Sequence, residues 1–273
     1  MKIEDFLISN KPIVKNIKYS ITKIKEKQDG VVLYLDNKEK INVSVDKYFE
    51  YGLSSLKGLD QKLYESLKKE ERLFLGYLGA LRKLSAKDFS IKQISDYLKI
   101  KKELNNNEIK SIVDKLINFG LLDDDKYCLN RTNYLNKQLL STKQIKLKLT
   151  KEGISKDLIE KYVINNSEDE YEKANKLAKK YSNSVKNKSL NATKQNILSK
   201  IVNLGYSYDA AKLAVDNLHL KNDNEIELLN KEYLKAKSKY SKKFVDYDLR
   251  NHIYSYLLNK GFKSEDIKTV MED

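Results

Sequence analysis

The stretch IKLKLTKEGISKDLIEKYV (145–163) determines the predicted fold, because its pattern recurs twice farther along the chain. The later copies are ILSKIVNLGYSYDAAKLAV (197–215) and IYSYLLNKGFKSEDIKTVM (253–271). Each copy has apolar residues eight and four positions before a glycine, a large apolar residue directly after it, and an acid four positions after it. This pattern predicts a helix, a left-handed glycine beyond its C-terminus, an apolar residue packed under the turn, and a second helix with a carboxylate in its first turn.

The turn residue of each copy serves as an anchor for the repeat. The anchors are Gly153, Gly205 and Gly261, and an earlier, degenerate copy has Glu103 in the same place. A longer predicted helix precedes each of the four copies, at 71–84, 123–139, 168–187 and 223–243. We therefore predict a mostly α-helical fold of tandem three-helix, helix-turn-helix-like repeats, stacked as an elongated, curved array.

The first part of the chain follows a different pattern, which predicts a small β meander. The segments YSITKIKEK (19–27), VVLYLD (31–36) and INVSV (41–45) are alternating or β-branched, and turn-forming residues separate them. Asp46 is then expected to cap a short helix. The predicted domains are an N-terminal β-containing extension at 1–66 and four three-helix repeats at 67–122, 123–166, 167–221 and 222–273.

Composition restricts the class of protein. The chain has 273 residues, with 53 Lys and Arg against 39 Asp and Glu, a net charge of +14, one Pro and one Cys. A single cysteine forms no intramolecular disulfide, so we expect a reducing, cytoplasmic location, and the rarity of proline favours helices. The longest apolar or small run, Leu73 to Leu81, is far shorter than a bilayer span. We therefore expect no membrane segment, and we expect a monomer.

Catalytic constellations are not apparent in the sequence. His219 and His252 stand in different repeats, and Cys128 has no neighbouring histidine that would activate its thiol. The chain has no GxxxxGK[ST] or GxGxxG segment to cradle a nucleotide. The acidic run 123–125 is either a site for a hard cation or a helix N-terminus stabilised by acids, and the second interpretation is favoured. We therefore expect no enzyme, no cofactor and no metal.

Lysine clustering is the clearest functional signal in the residues themselves. From Lys173 to Tyr208 the chain carries eight lysines and no acid, with tyrosines among them. Such a stretch suits contact with nucleic acid or an acidic partner, or it is a solvated face whose tyrosines point inward, and both interpretations stay open. No repeat shows an Arg/Asn/Gln-rich helix of the kind that reads bases. The candidate contact residues are Lys87, Lys143, Lys146, Lys173, Lys176, Lys180, Lys186, Lys188, Lys194 and Lys200.

Three segments carry a resemblance to a known family. They are ALRKLSAKDFSIKQI (80–94), KLINFGLLDDDKYC (115–128) and STKQIKLKLTKEGI (141–154). Together they resemble the RecX family of recombination regulators, and the Gly-Leu-Leu-Asp-Asp motif is the most specific part. The motif positions are Ser90, Gly120, Leu121, Leu122, Asp123, Asp124, Tyr127, Gly153, Gly205 and Gly261. The N-terminal meander is similar to the extension of longer members from low-GC Gram-positive bacteria.

The resemblance implies a partner and a function. RecX proteins bind the filament of the RecA recombinase on DNA, inhibit its ATPase, strand exchange and coprotease activities, and so modulate recombination and the SOS response. It implies RecA as the partner, with single- or double-stranded DNA as a second candidate. The chain departs from the family pattern at Ala86, Glu103, Lys148 and Glu152, which alters any partner contact made there. One alternative is a sequence-tolerant DNA-binding protein of the same repeats that acts without RecA. A third interpretation is a helical scaffold for some other protein, whose lysine excess is genomic drift and which binds neither DNA nor RecA.

Overall fold

The computed structural model of the chain describes residues 16–184, 187–220 and 224–272. These residues form two compact units. The first contains the chain up to Tyr127 together with the turn Glu152–Ile154, and the second contains the rest. Within the described residues, no helix has both the length and the apolar character that crossing a lipid bilayer requires.

The predicted β meander is present in the first unit as an antiparallel sheet of order β3-β2-β1-β4. Its strands are β1 (Tyr19–Lys27), β2 (Gly30–Leu35), β3 (Lys40–Val43) and β4 (Gly58–Leu59). The sequence prediction lacks β4, because two residues cannot show an alternating pattern. This strand exists through its pairing with the first two residues of β1, which come from almost forty positions earlier in the chain.

A short helix, α1 (Val45–Glu50), follows the third strand and begins earlier than predicted. Its N-cap is Ser44, whose hydroxyl accepts a hydrogen bond from the Lys47 amide at 3.3 Å. The prediction of Asp46 as the cap is wrong, and Asp46 lies in the first turn instead. The reason is that β3 ends at Val43, so Val45 is the first helical residue rather than the last residue of a strand.

The remaining helices form four successive groups of three, which confirms the predicted fold class. The first helices are α2 (Gln61–Leu84), α5 (Asp124–Lys137), α8 (Ser167–Ser182) and α11 (Glu225–Tyr240). The second helices are α3 (Ile91–Lys102), α6 (Thr142–Lys151), α9 (Leu190–Asn203) and α12 (Asp246–Asn259). The third helices are α4 (Asn106–Asn118), α7 (Lys156–Tyr162), α10 (Tyr208–Asp216) and α13 (Ser264–Glu272).

Helix α2 begins at Gln61 rather than at the predicted 71, and it joins the sheet to the first repeat. Asp60 caps it by accepting a hydrogen bond from the Leu63 amide at 2.8 Å. The first turns of α2 contribute Leu63 and Leu67 to the core beneath the sheet, and its C-terminal half contributes Ala80 to the core of the first repeat. The sequence prediction missed these first turns because charged residues interrupt the apolar pattern before position 71.

The turns between the second and third helices have the predicted geometry. Gly153, Gly205 and Gly261 have φ values of 87°, 83° and 85°, and Glu103 takes the same left-handed conformation with φ 54°. The four residues that follow these turns are all buried, namely Leu104, Ile154, Tyr206 and Phe262. The degenerate first copy is therefore a true repeat, in which a non-glycine residue bears the cost of a positive φ.

Candidate functional site

Lys173, one of the predicted contact residues, is half-buried on α8. Its ammonium donates a hydrogen bond to the Asn136 side-chain oxygen of α5 at 2.6 Å. Burial lowers the pKa of Lys173, while Asp169 and Glu170 oppose this effect. The Lys173 ammonium therefore has a partner within the chain, where it joins the first helices of two successive repeats.

The other candidate lysines lie mainly at the surface. The structure places Lys87, Lys143, Lys176, Lys180, Lys188 and Lys200 as exposed and Lys146 and Lys194 as half-buried, while Lys186 lies outside the described residues. Lys176 stands 3.7 Å from the Glu172 carboxylate. The Lys200 ammonium lies 5.2 Å from the centroid of the Tyr181 ring. The predicted pairing of lysines with tyrosines thus occurs at Lys200, where the aromatic ring holds the cation by a cation–π contact.

One candidate lysine lies in a cleft between the second and third helices of the third repeat. The cleft has a volume of about 170 Å³, and its polar lining consists of Asn191, Lys194, Gln195, Tyr208, Lys212 and Asp216. Among the described residues, neither Lys194 nor Lys212 forms an ion pair. The cleft therefore offers two ammonium groups, two side-chain amides and a phenol to an anionic group, against one carboxylate.

The sequence prediction missed Lys212, because this residue lies just beyond the acid-free stretch. A recurrence was nevertheless visible, since the seventh position after the turn residue holds Lys110, Glu160, Lys212 or Lys268 in the successive repeats. All four of these side chains are exposed. Three of the four third helices therefore present a lysine at the same place in the repeat.

A second basic surface lies in the fourth repeat, around an aromatic cluster. The centroid of the His252 ring lies 3.8 Å from that of Phe244, with the two rings tilted, and 5.7 Å from that of Tyr240, with the two rings stacked. The Lys239 ammonium stands 4.9 Å from the Tyr240 centroid and 5.8 Å from that of Tyr256. His252 is thus an exposed residue that packs against two aromatic rings.

The acidic motif caps helices, as the favoured interpretation predicts. The Asp123 carboxylate accepts hydrogen bonds from the amides of Asp125 and Lys126 at 2.9 and 3.1 Å. The Asp124 carboxylate accepts one from the Ile91 amide, at the start of α3, at 2.9 Å. Burial raises the pKa of Asp124, and the nearby Asp123 adds to this effect. Across 16–184, 187–220 and 224–272, no cluster of His, Cys, Asp or Glu side chains is arranged to hold a metal ion.

The other motif residues have structural roles. Leu122 is buried in the core of the first repeat, and Leu121 is exposed beside the left-handed Gly120. The buried Tyr127 donates its hydroxyl hydrogen to the Glu152 carboxylate at 3.1 Å. Glu152, one of the departures from the family pattern, is therefore engaged inside the first unit.

Three buried serines, Ser90, Ser141 and Ser189, each make the same pair of hydrogen bonds. Each hydroxyl accepts a hydrogen bond from an amide in the first turn of the second helix that it precedes, at 3.2 to 3.3 Å. Each also donates to a backbone carbonyl directly before the turn glycine of a later repeat. These carbonyls belong to Glu152, Leu204 and Lys260. Nothing in the local sequence predicted these distant acceptors.

Comparison with known proteins identifies the family. Regulatory protein RecX of Streptococcus gordonii is 33% identical to this chain over 262 residues, which cover 93% of the chain and 98% of that protein. The chain belongs to the RecX family. The RecX protein of Streptococcus equi subsp. zooepidemicus is 30% identical over 261 residues, which again cover 93% of this chain and 98% of that protein. Near-complete coverage means that the RecX likeness includes the N-terminal sheet as well as the helical repeats.

Two further comparisons agree with the RecX fold. The family model described as the third three-helix domain of RecX matches residues 223–271, which form the fourth repeat counted along this chain. A crystal structure titled regulatory protein RecX superposes with a TM-score of 0.56 at 22% sequence identity, covering 73% of this chain and all of that one. This superposition supports the three-helix repeat fold of RecX.

Proposed function

We propose that this chain binds RecA nucleoprotein filaments and inhibits the ATPase, strand exchange and coprotease activities of RecA. In this way it modulates homologous recombination and the SOS response, as a regulator that carries out no reaction of its own. The observation that carries the proposal is the 33% identity to a regulatory protein RecX along almost its full length. The implied partner of that family is the RecA filament.

The repeat architecture supports this proposal on physical grounds. A filament presents the same surface again and again, and a chain of similar three-helix repeats offers several contacts to such a partner. Linked contacts strengthen binding through effective concentration, so weak individual sites suffice. The exposed lysines of the third repeat supply the electrostatic part, because acidic or phosphate groups on a nucleoprotein filament attract them.

The test is the DNA-dependent ATPase rate of the cognate RecA on long circular single-stranded DNA, with this protein titrated at fixed moderate salt. We expect inhibition well below one molecule per RecA, because a regulator bound within a filament affects many subunits. Inhibition that appears only when the protein saturates the DNA itself would contradict the proposal. Such a result would indicate competition for DNA.

Charge reversal tests the lysine surface. The variant Lys180→Glu/Lys188→Glu/Lys194→Glu changes three lysines of the third repeat, and we expect it to need at least tenfold more protein for half-inhibition. The control Lys231→Glu/Lys242→Glu/Lys243→Glu changes the net charge equally, at exposed positions in the fourth repeat. Equal losses in both variants would mean that overall charge matters rather than this surface.

A second candidate function, sequence-tolerant DNA binding without RecA, is favoured by one observation. The Lys194 and Lys212 cleft combines cationic and amide groups that suit a phosphodiester. This alternative predicts tight binding of the isolated protein to DNA, with an affinity that falls steeply with salt and weakens in Lys212→Glu. Filament inhibition that survives Lys212→Glu, together with weak DNA binding by the wild type, would reject it.

A further inference from the structure

Each of the three buried serines bonds to the repeat that follows it. Ser90, Ser141 and Ser189 precede the second helices of the first three repeats. In the fourth repeat the same place is taken by Val245, which makes no side-chain capping bond and is 73% exposed. A serine needed only as a helix cap would be equally useful there, since helix N-termini favour serine in general. A capping role alone therefore does not account for these serines, whose hydroxyls also bond to the following repeat.

Two of the glycines beside the acceptor carbonyls also fit this contact, because a larger residue there would collide with the serine hydroxyl. A Cβ added to Gly205 would stand 2.9 Å from the Ser141 hydroxyl oxygen, and one added to Gly261 would stand 2.7 Å from that of Ser189. Both distances are shorter than side chains normally tolerate. The turn glycines thus serve twice, because they accept a positive φ and they leave room for the serine hydroxyl.

Further polar contacts surround the two serines of the second unit. Beside Ser141, the buried Tyr206 donates its hydroxyl hydrogen to the Leu139 carbonyl at 2.9 Å. Beside Ser189, the Glu225 carboxylate accepts a hydrogen bond from the Leu190 amide, with oxygens at 3.1 and 3.2 Å. Directional bonds between buried groups fix an angle between packed elements, whereas apolar contacts alone permit sliding.

We infer that Ser141 and Ser189 are positioning residues that lock each repeat to the next and thereby set the spacing of the partner-binding surfaces that the repeats present. Ser90 makes the same bond within the first unit. The functional half of this inference rests on the proposed function, because regular spacing matters for a partner that repeats. The structural half stands without it.

The matched comparison is Ser189→Ala against Ser155→Ala. Ser155 also caps a helix, accepting a hydrogen bond from the Leu158 amide at 3.4 Å, but it is exposed and donates to no carbonyl in the described part of the chain. Both variants lose a cap, and only Ser189→Ala loses the contact with the following repeat. Gly261→Ala provides a second variant at the same contact, since its methyl group presses on the hydroxyl from the other side.

Spin labels at Asp209→Cys and Lys268→Cys report the arrangement of the third and fourth repeats by electron–electron double resonance. The buried Cys128 is replaced by alanine in this background. We expect the width of the distance distribution to increase at least twofold in Ser189→Ala and in Gly261→Ala, and to stay unchanged in Ser155→Ala. Equal widths in Ser189→Ala and Ser155→Ala, with helical circular dichroism preserved, would overturn the positioning role.

The functional half is tested with the unlabelled variants in the RecA ATPase titration on long single-stranded DNA. We expect Ser189→Ala to need at least fivefold more protein for half-inhibition, while Ser155→Ala matches the wild type. A broadened distance distribution with unchanged inhibition would reject the functional half alone. A wild type that fails to inhibit would reject the proposed function, and the spin-label result would still decide the structural half.

Discussion

At the scale of a residue, two glycines with a left-handed backbone differ in what a methyl group would meet. Gly261 and Gly120 both have positive φ, 85° and 66°, but a Cβ on Gly261 meets the Ser189 hydroxyl whereas a Cβ on Gly120 meets nothing within 4 Å. Gly120→Ala should therefore cost only the strain of a left-handed alanine, about 1 kcal/mol. Gly261→Ala should cost about 1–3 kcal/mol more, because the contact must shift.

Urea unfolding followed by circular dichroism measures both variants of this pair. Because the backbone strain is similar, the difference between the two free energies of unfolding isolates the steric part. Equal losses in the two variants would mean that the packing at Gly261 adjusts without cost.

Asp124 gives a prediction of pH dependence at the same scale. Because burial raises its pKa, the folded state holds the proton more tightly than the unfolded chain does. The protonated Asp124 carboxyl therefore stabilises the folded state at low pH, and this stabilisation is lost as pH rises through the raised pKa. Asp124→Asn is neutral throughout, so its free energy of unfolding minus that of the wild type should increase as pH rises above about 4, the ordinary pKa of an aspartate carboxyl.

This difference is measured by urea unfolding at several pH values, so that the contributions of the other carboxylates cancel. A flat or falling difference would show that the hydrogen bond from Ile91, which favours the charged carboxylate, outweighs burial.

At the scale of elements, Glu71 connects helix α2 to the edge of the sheet. Its carboxylate is buried and accepts hydrogen bonds from the Asn42 backbone amide at 2.7 Å and from the Asn42 side-chain amide at 2.8 Å. Glu71→Ala leaves the amide of this edge strand without its acceptor, so we expect a loss of about 1–3 kcal/mol. Glu71→Gln keeps an acceptor oxygen and should lose much less.

Thermal unfolding and light scattering follow these two Glu71 variants. An uncovered edge strand pairs readily with other chains, so Glu71→Ala should also aggregate at a lower temperature than Glu71→Gln. Similar behaviour of both variants would show that the negative charge, which also contacts Lys68 at 3.0 Å, matters more than the edge bond.

Local patterns along the chain were enough to predict the elements but not the contacts between them. The spacing around Gly153, Gly205 and Gly261 predicted the helix–turn–helix units, and even Glu103 fits because backbone geometry follows position in the repeat. Strand β4 and the Glu71 contact were missed since both depend on residues far apart in sequence. The acceptors of the serine hydroxyls lie 62, 63 and 71 positions away, beyond any local pattern.

The candidate site shows the same limit. Clustering of lysines pointed to the third repeat, and Lys194 does line a cleft there together with the unpredicted Lys212. The sequence could not show that Lys194 is available to a partner whereas Lys173 is not. The hydrogen bond from the Lys173 ammonium to Asn136 is visible only in the structure. Lysine clustering in the sequence indicates a region, whereas the packing of the fold determines which of these lysines remain available to a partner.

At the scale of the whole molecule, a chain of repeats should not unfold as one block. In such chains stability is approximately a sum of repeat terms and nearest-neighbour terms, so damage stays near its origin. Leu257 and Leu33 are fully buried, one in the core of the fourth repeat and the other in the core beneath the sheet. Truncating either to alanine should remove about 2–5 kcal/mol from its own core.

Native-state hydrogen exchange with mass spectrometry shows which regions lose amide protection when the core is truncated. In Leu257→Ala we expect faster exchange of amides in the fourth repeat, a smaller effect in the third, and unchanged protection of β1 to β3. Leu33→Ala should give the reverse pattern, with fast exchange in the sheet and full protection of α12 and α13. A uniform increase across the chain in both variants would mean that sheet and repeats form one cooperative fold, and the additive description of this array would then be wrong.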